Sequence, residues 1–165
     1  MALGQFVRAT FTQQLRVSRR IGVAADLNGV GNKLLWTIAN SPILVFGLFG
    51  HVTTLIGAGL CVPRLAFTPT GGGAQTFLCA AAASIAADAV NTLYTWTGLL
   101  AGLLTPGVGI GHLDLTGAEA GFTSPLTFTP GLIQLTGAVD ALAGVVDWYL
   151  AYVVCGLNAT VTPGP

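Results

Sequence analysis

Apolar and polar positions alternate with a period of two along most of this chain, and no long amphipathic helical stretch interrupts them. Leu34, Trp36 and Ile38 alternate with Leu35, Thr37 and Ala39, and Asn40-Ser41-Pro42 breaks the run before a second apolar stretch over residues 43–56. Residues 64–68 and 75–79 flank Pro69-Thr70-Gly71-Gly72-Gly73, the pattern of a hairpin closed by a Pro/Gly turn. An alanine-rich link over residues 80–89 predicts one or two helical turns, because alanine loses least on entering a helix.

A further strand is expected over residues 91–98, with Tyr94 and Trp96 on one face and Leu93, Thr95 and Thr97 on the other. Residues 98–124 are glycine-rich and irregular. Strands return at residues 132–136 and over Val145–Val154, where Val146, Trp148, Leu150, Tyr152 and Val154 share one apolar face. The alternation therefore places Trp36, Trp96, Trp148 and Tyr152 inside. With 19 threonines, 23 glycines and strands recurring every dozen or so residues, the chain is expected to be all-β, an antiparallel β-sandwich or a small jelly-roll-like barrel.

Charge divides the chain in two. Residues 1–33 hold Arg8, Arg16, Arg19, Arg20 and Lys33 against Asp26, a net of +4; residues 34–165 hold Arg64 against Asp88, Asp114, Glu119, Asp140 and Asp147, a net of −4. The first segment mixes bases, Gln, Thr and small residues without a sustained period, which reads as an extended basic N-terminal arm over residues 1–33 joined to a β body over residues 34–165. Its expected partner-binding residues are Arg8, Arg16, Arg19 and Arg20 for charge, and Phe6, Phe11 and Leu15 as apolar anchors, with Val7 and Val17 also able to dock. Four arginines without interleaved base-stacking aromatics fit acids on a protein partner better than nucleic acid phosphates.

Only 7% of the residues are charged, 53% are hydrophobic, and the mean hydropathy is +0.76. A small soluble domain usually has about 25–35% of its surface charged, so this chain is expected to be covered by other subunits or by lipid. Residues 34–63 and 89–113 carry no formal charge, but Gly47, Gly50, His51, Thr53, Thr54, Gly57 and Gly59 make the first a poor membrane helix, and the Pro106-Gly107 pair interrupts the second. Flanking lysines and arginines, which orient membrane helices, are also scarce. Covering by subunits is the better reading, with a homo-oligomer, a trimer first, as the expected state; a small integral membrane protein is the alternative. No signal peptide is evident at the basic N-terminus.

Candidate chemistry changes little. His51 and His112 are the only groups suited to act as bases near neutral pH, and neither sits in a nucleophile motif, so an enzyme is not expected. Gly107-x-Gly109-x-Gly111 is followed by Leu113-Asp114-Leu115 and reads as a flexible loop rather than a dinucleotide site. Cys61, Cys79 and Cys155 are odd in number and lack C-x-x-C spacing; buried thiols are expected, with no metal and no cofactor. Asn158-Ala159-Thr160 is a glycosylation triplet that reads as a chance occurrence.

Read in order, Asn32-Lys33-Leu34-Leu35-Trp36-Thr37, Val52-Thr53-Thr54, Leu78-Cys79-Ala80 and Asp88-Ala89-Val90-Asn91-Thr92-Leu93-Tyr94 resemble structural proteins of tailed bacteriophages. So does the ending, Pro130-Gly131-Leu132-Ile133-Gln134-Leu135, then Val145-Val146-Asp147-Trp148-Tyr149-Leu150 and Ala159-Thr160-Val161. The resemblance covers roughly residues 30–163 and is one of strand order and composition. It implies a virion protein assembled in the host cytoplasm: a capsid decoration or cement protein that binds the major capsid protein or other virion subunits. The long basic arm and low charge depart from that pattern and leave a tail or vertex position open.

Overall fold

The computed structural model describes residues 15–29, 31–80, 84–96, 105–107, 126–139, 143–156 and 158–165. In chain order the strands are β1 (Arg16–Arg20), β2 (Lys33–Ala39), β3 (Ile43–Thr54), β4 (Cys61–Pro69), β5 (Thr76–Phe77), β6 (Leu93–Trp96), β7 (Thr105–Gly107), β8 (Leu126–Phe128), β9 (Gly131–Val139), β10 (Val145–Val154) and β11 (Thr160–Pro163). One 3-10 turn, Ala24–Leu27, lies between β1 and β2. A six-stranded sheet runs β1-β10-β3-β6-β7 with β8 also on β3, and a five-stranded sheet runs β11-β2-β9-β4-β5. The two antiparallel sheets pack face to face without closing into a barrel, which selects the sandwich from the two expected architectures.

The core follows from the alternation. Trp36, Ile38, Leu65, Ile133 and Leu135 from one sheet meet Leu48, Val52, Trp148 and Leu150 from the other. Trp96, Trp36, Trp148 and Tyr152 are all buried, as the pattern requires. Burying apolar area is worth about 25 cal/mol per Å², so these inner rows supply most of the drive to fold. Trp96 also donates its indole N–H to the Leu78 carbonyl at 2.9 Å, and its ring meets the Phe128 edge at 6.1 Å between centroids.

Strict alternation is interrupted by three slips of register, one of which, between Val145 and Val146 on β10, leaves Thr53 of β3 as the extra residue. On β2 the pairing with β9 shifts between Leu34 and Trp36, so Leu35 is an extra residue and both Leu35 and Trp36 turn inward. On β3 the pairing with β10 passes from Gly47 to Val45, and the extra residue, Phe46, stands exposed on the outer side. A bulge of this kind re-aims the side chains that follow it.

The expected hairpin is present, with Ala66 opposite Phe77 and Phe67 opposite Thr76, and the Arg64 guanidinium lies 3.3 Å from the Phe77 ring centroid. Residues 84–89 form turns rather than the expected helical turns, and residues 81–83 lie outside the described residues. Long-range backbone bonds account for this: Ile85 N–H donates to the Cys61 carbonyl, Ala87 N–H to that of Gly57, and Ile56 N–H to that of Asp88. Those bonds tie the loop to the β3–β4 connection, and Ala87 takes a φ of +64°, which no right-handed helix allows. Cys61 and Cys79 are buried but Cys155 is exposed, against the expectation of three buried thiols. Burial pushes the Cys61 thiol up to about 11.

Candidate interaction surface

The largest departure from the sequence reading concerns residues 16–33. The segment 16–20 is an edge strand of the body, in register with β10 from Arg16 opposite Tyr152 to Arg20 opposite Trp148. Alternation sends Ser18 and Arg20 inward and Val17 and Arg19 outward. From Arg16 to Arg20 the chain is thus paired into the six-stranded sheet. Phe6, Arg8 and Phe11 lie outside the described residues.

Arg20 is a buried cation and needs a buried anion. Its Nη1 donates to Asp26 Oδ2, its Nη2 donates to Asp26 Oδ1 at 2.8 Å, and Nη2 also donates to the Pro165 carbonyl at 2.6 Å. Asp26 reaches this position from the 3-10 turn, where its Oδ2 also accepts the Val23 N–H at 2.9 Å. A planar fork against a carboxylate is the geometry in which arginine binds most strongly. Ser18 Oγ accepts the Trp36 indole N–H at 3.0 Å, a second tie between β1 and the opposite sheet.

Arg19 works on the outer face. Its Nη2 and Nε donate to Asp147 Oδ2 at 2.5 and 3.2 Å, while Asp147 Oδ1 accepts the Gly22 N–H at 2.8 Å. Burial by itself would raise the Asp147 carboxyl; the Gly22 N–H and Arg19 outweigh it and hold the group below its ordinary value of 3.8. A carboxyl held low in the fold contributes stability that is present above its ordinary value and is lost as pH falls through the folded value. Asp147→Asn should therefore flatten the fall in stability as pH drops below about 4, read as urea midpoints against pH. An unchanged acid limb would show that Asp147 carries none of it.

Next to Arg19 the outer face is aromatic. Tyr149 lies 5.9 Å under the Arg19 guanidinium and stacks on Phe49 at 4.8 Å with 8° between the ring planes. His51 continues the row on β3 and shares a hydrogen bond of 3.2 Å with Asn91 Oδ1. Along the β1 edge, Leu15 is 58% exposed, Val17 65%, Ile21 65% and Val23 45%. Arg16 is exposed and has no ion-pair partner among the described residues. No His/Cys/Asp/Glu group suited to a metal ion occurs among the described residues.

Of the residues expected to bind a partner, Leu15 and Arg16 stand free on one edge, while Arg19 and Arg20 already hold carboxylates of their own chain. Ile21, Val23 and the Phe49–Tyr149 stack complete this surface, and the sequence pattern alone does not mark them. A signal for the internal pairs was present in Asp147, a lone acid in the middle of an otherwise apolar strand, which calls for a cation nearby. No family model, curated protein or solved structure matches the chain.

Proposed function

We propose that the chain is a virion structural subunit, a capsid decoration or cement protein that stabilises a shell through contacts between subunits. One observation carries this reading: a sandwich with twelve formal charges leaves Leu15, Val17, Ile21 and Val23 exposed within nine residues, beside an aromatic outer face. Exposed apolar area of this kind marks a surface that another protein covers. The resemblance in strand order to phage structural proteins supplies the kind of assembly. Arg16, exposed and without an ion-pair partner among the described residues, adds a cation at the same edge, suited to a carboxylate on the major capsid protein or another shell subunit.

Among the described residues no helix is long and apolar enough to cross a membrane. The first charge-free window, residues 34–63, which carries the membrane alternative, falls on β2, β3 and the start of β4, with β3 set between β10 and β6. The reading is tested on particles of the virus that encodes the chain. Mass spectrometry of purified virions should find it in many copies, and particles assembled without it should rupture at a lower temperature. Virions that lack the chain altogether would overturn the assignment.

A further inference from the structure

The free edges of the two sheets are not equivalent. β5 has two residues, β8 has three, β7 has three and includes Pro106, and β11 has four and includes Pro163. Shortness and proline are the ordinary ways of keeping an edge from pairing. β1 has five residues, no proline and no slip in its register with β10. Of its three cations, Arg20 is buried on Asp26 and Arg19 is drawn onto Asp147, which leaves Arg16, at the strand's first position, as its one exposed charge without an ion-pair partner among the described residues. What faces outward is the apolar row that begins with Leu15 and Val17.

We propose that β1 is a self-pairing edge: β1 of one copy pairs antiparallel with β1 of a second copy across a two-fold axis at Val17. The axis stands perpendicular to the sheet, so the six-stranded sheets of the two copies join and their outer faces become continuous.

Apolar pairing selects the register. Centring on Ser18 sets Val17 of each copy opposite Arg19 of the other and Arg16 opposite Arg20, so each exposed valine meets a guanidinium and no apolar pair forms at the axis. Centring on Val17 sets valine against valine, Arg16 against Ser18, and Leu15 against Arg19, whose charge Asp147 already meets. The edge is thus its own complement. It is also held ready before contact, because the Arg20–Asp26 fork and the Ser18–Trp36 bond keep β1 in one register. A two-fold pairing gives a dimer, or an assembly built of dimers, where composition alone suggested a trimer. This rests on the part of the preceding reading that makes the chain an assembled subunit; it concerns contacts between copies in solution and not attachment to a shell.

The test uses the full chain carrying Cys155→Ser, which removes the exposed thiol. Residues directly opposite in an antiparallel pair have Cα atoms roughly 4.5–5.5 Å apart, within reach of a disulfide. Val17→Cys in that background should give a covalent dimer on mild oxidation, and Ser18→Cys, on the inner row, should give far less. Val17→Lys, a guard on the edge, should weaken self-association about tenfold or more in sedimentation while the circular dichroism spectrum and thermal transition stay unchanged. If Val17→Cys forms no dimer, if Ser18→Cys crosslinks better, or if Val17→Lys associates like the parent chain, the pairing is wrong. Virions containing the chain would leave the shell reading standing even then, and a crosslinked dimer absent from virions would separate the two the other way.

Discussion

Asp26→Ala should destabilise the fold by about 3–5 kcal/mol, because it leaves a buried guanidinium without its carboxylate. Arg20 is 2% exposed and Asp26 5%, so neither side chain can turn to water without breaking the edge of the sandwich. With domains of this size stable by about 5–15 kcal/mol, the loss is a large part of the total. Urea unfolding followed by tryptophan fluorescence measures it. The control is the double replacement Arg20→Met with Asp26→Leu, which removes both charges and should recover much of the loss, since an apolar pair in place of a buried ion pair is often neutral or better. A single-variant cost under about 1 kcal/mol is the value for an exposed ion pair and would place Arg20 at the surface. The same substitution should loosen β1, because Arg20 sits at the end of that strand and Asp26 on the turn that follows it.

The Arg20–Asp26 pair also shows where a sequence reading stops. Composition assigns Arg16-Val17-Ser18-Arg19-Arg20 to an extended basic arm that docks on a partner, since three arginines in five residues rarely enter a core. Yet the period of two was already there, with Arg16, Ser18 and Arg20 on one side and Val17 and Arg19 on the other. What the sequence could not display was the partner of each cation. Asp26 is only six residues from Arg20, but Asp147 is 128 residues from Arg19, and only the folded sheet brings that pair together.

Elsewhere the pattern was sufficient. Trp36, Trp96, Trp148 and Tyr152 are inside as the alternation predicts, although β2 also buries Leu35 and β10 also buries Asp147 and Val153. Leu35 and Phe46 escaped the pattern because a bulge changes the count by one, and nothing local in an apolar run marks which residue is extra. The alanine link failed for a different reason: helix propensity is a weak prior, and three backbone bonds to the β3–β4 region override it. The candidate surface was half readable. Leu15, Arg16 and Val17 stood out as residues able to dock, but the exposed row and the Phe49–Tyr149 stack required the sheet.

Trp148→Ala should cost about 3–5 kcal/mol, the range for removing a buried aromatic ring and leaving a cavity. Trp148 is 1% exposed and sits on β10, with Arg20 of β1 opposite on one side and Gly50 of β3 on the other. Gly50 makes the room: a Cβ there would come within 2.9 Å of both Trp148 Cζ3 and Val146 Cγ1. The indole N–H of Trp148 has no hydrogen-bond partner among the described residues, so the loss comes from volume and burial rather than from a broken bond. Trp148→Phe should accordingly lose much less than Trp148→Ala. Gly50→Ala in the parent chain should be destabilising by about 1–3 kcal/mol through overpacking. In the Trp148→Ala background it should cost less, because the indole contact is gone while the Val146 methyl remains. A double-mutant cycle on urea midpoints reads the difference as a coupling energy. Strict additivity would mean that the ring does not rest on Gly50, and a near-native Trp148→Ala variant would mean that the two faces of β10 are assigned the wrong way round.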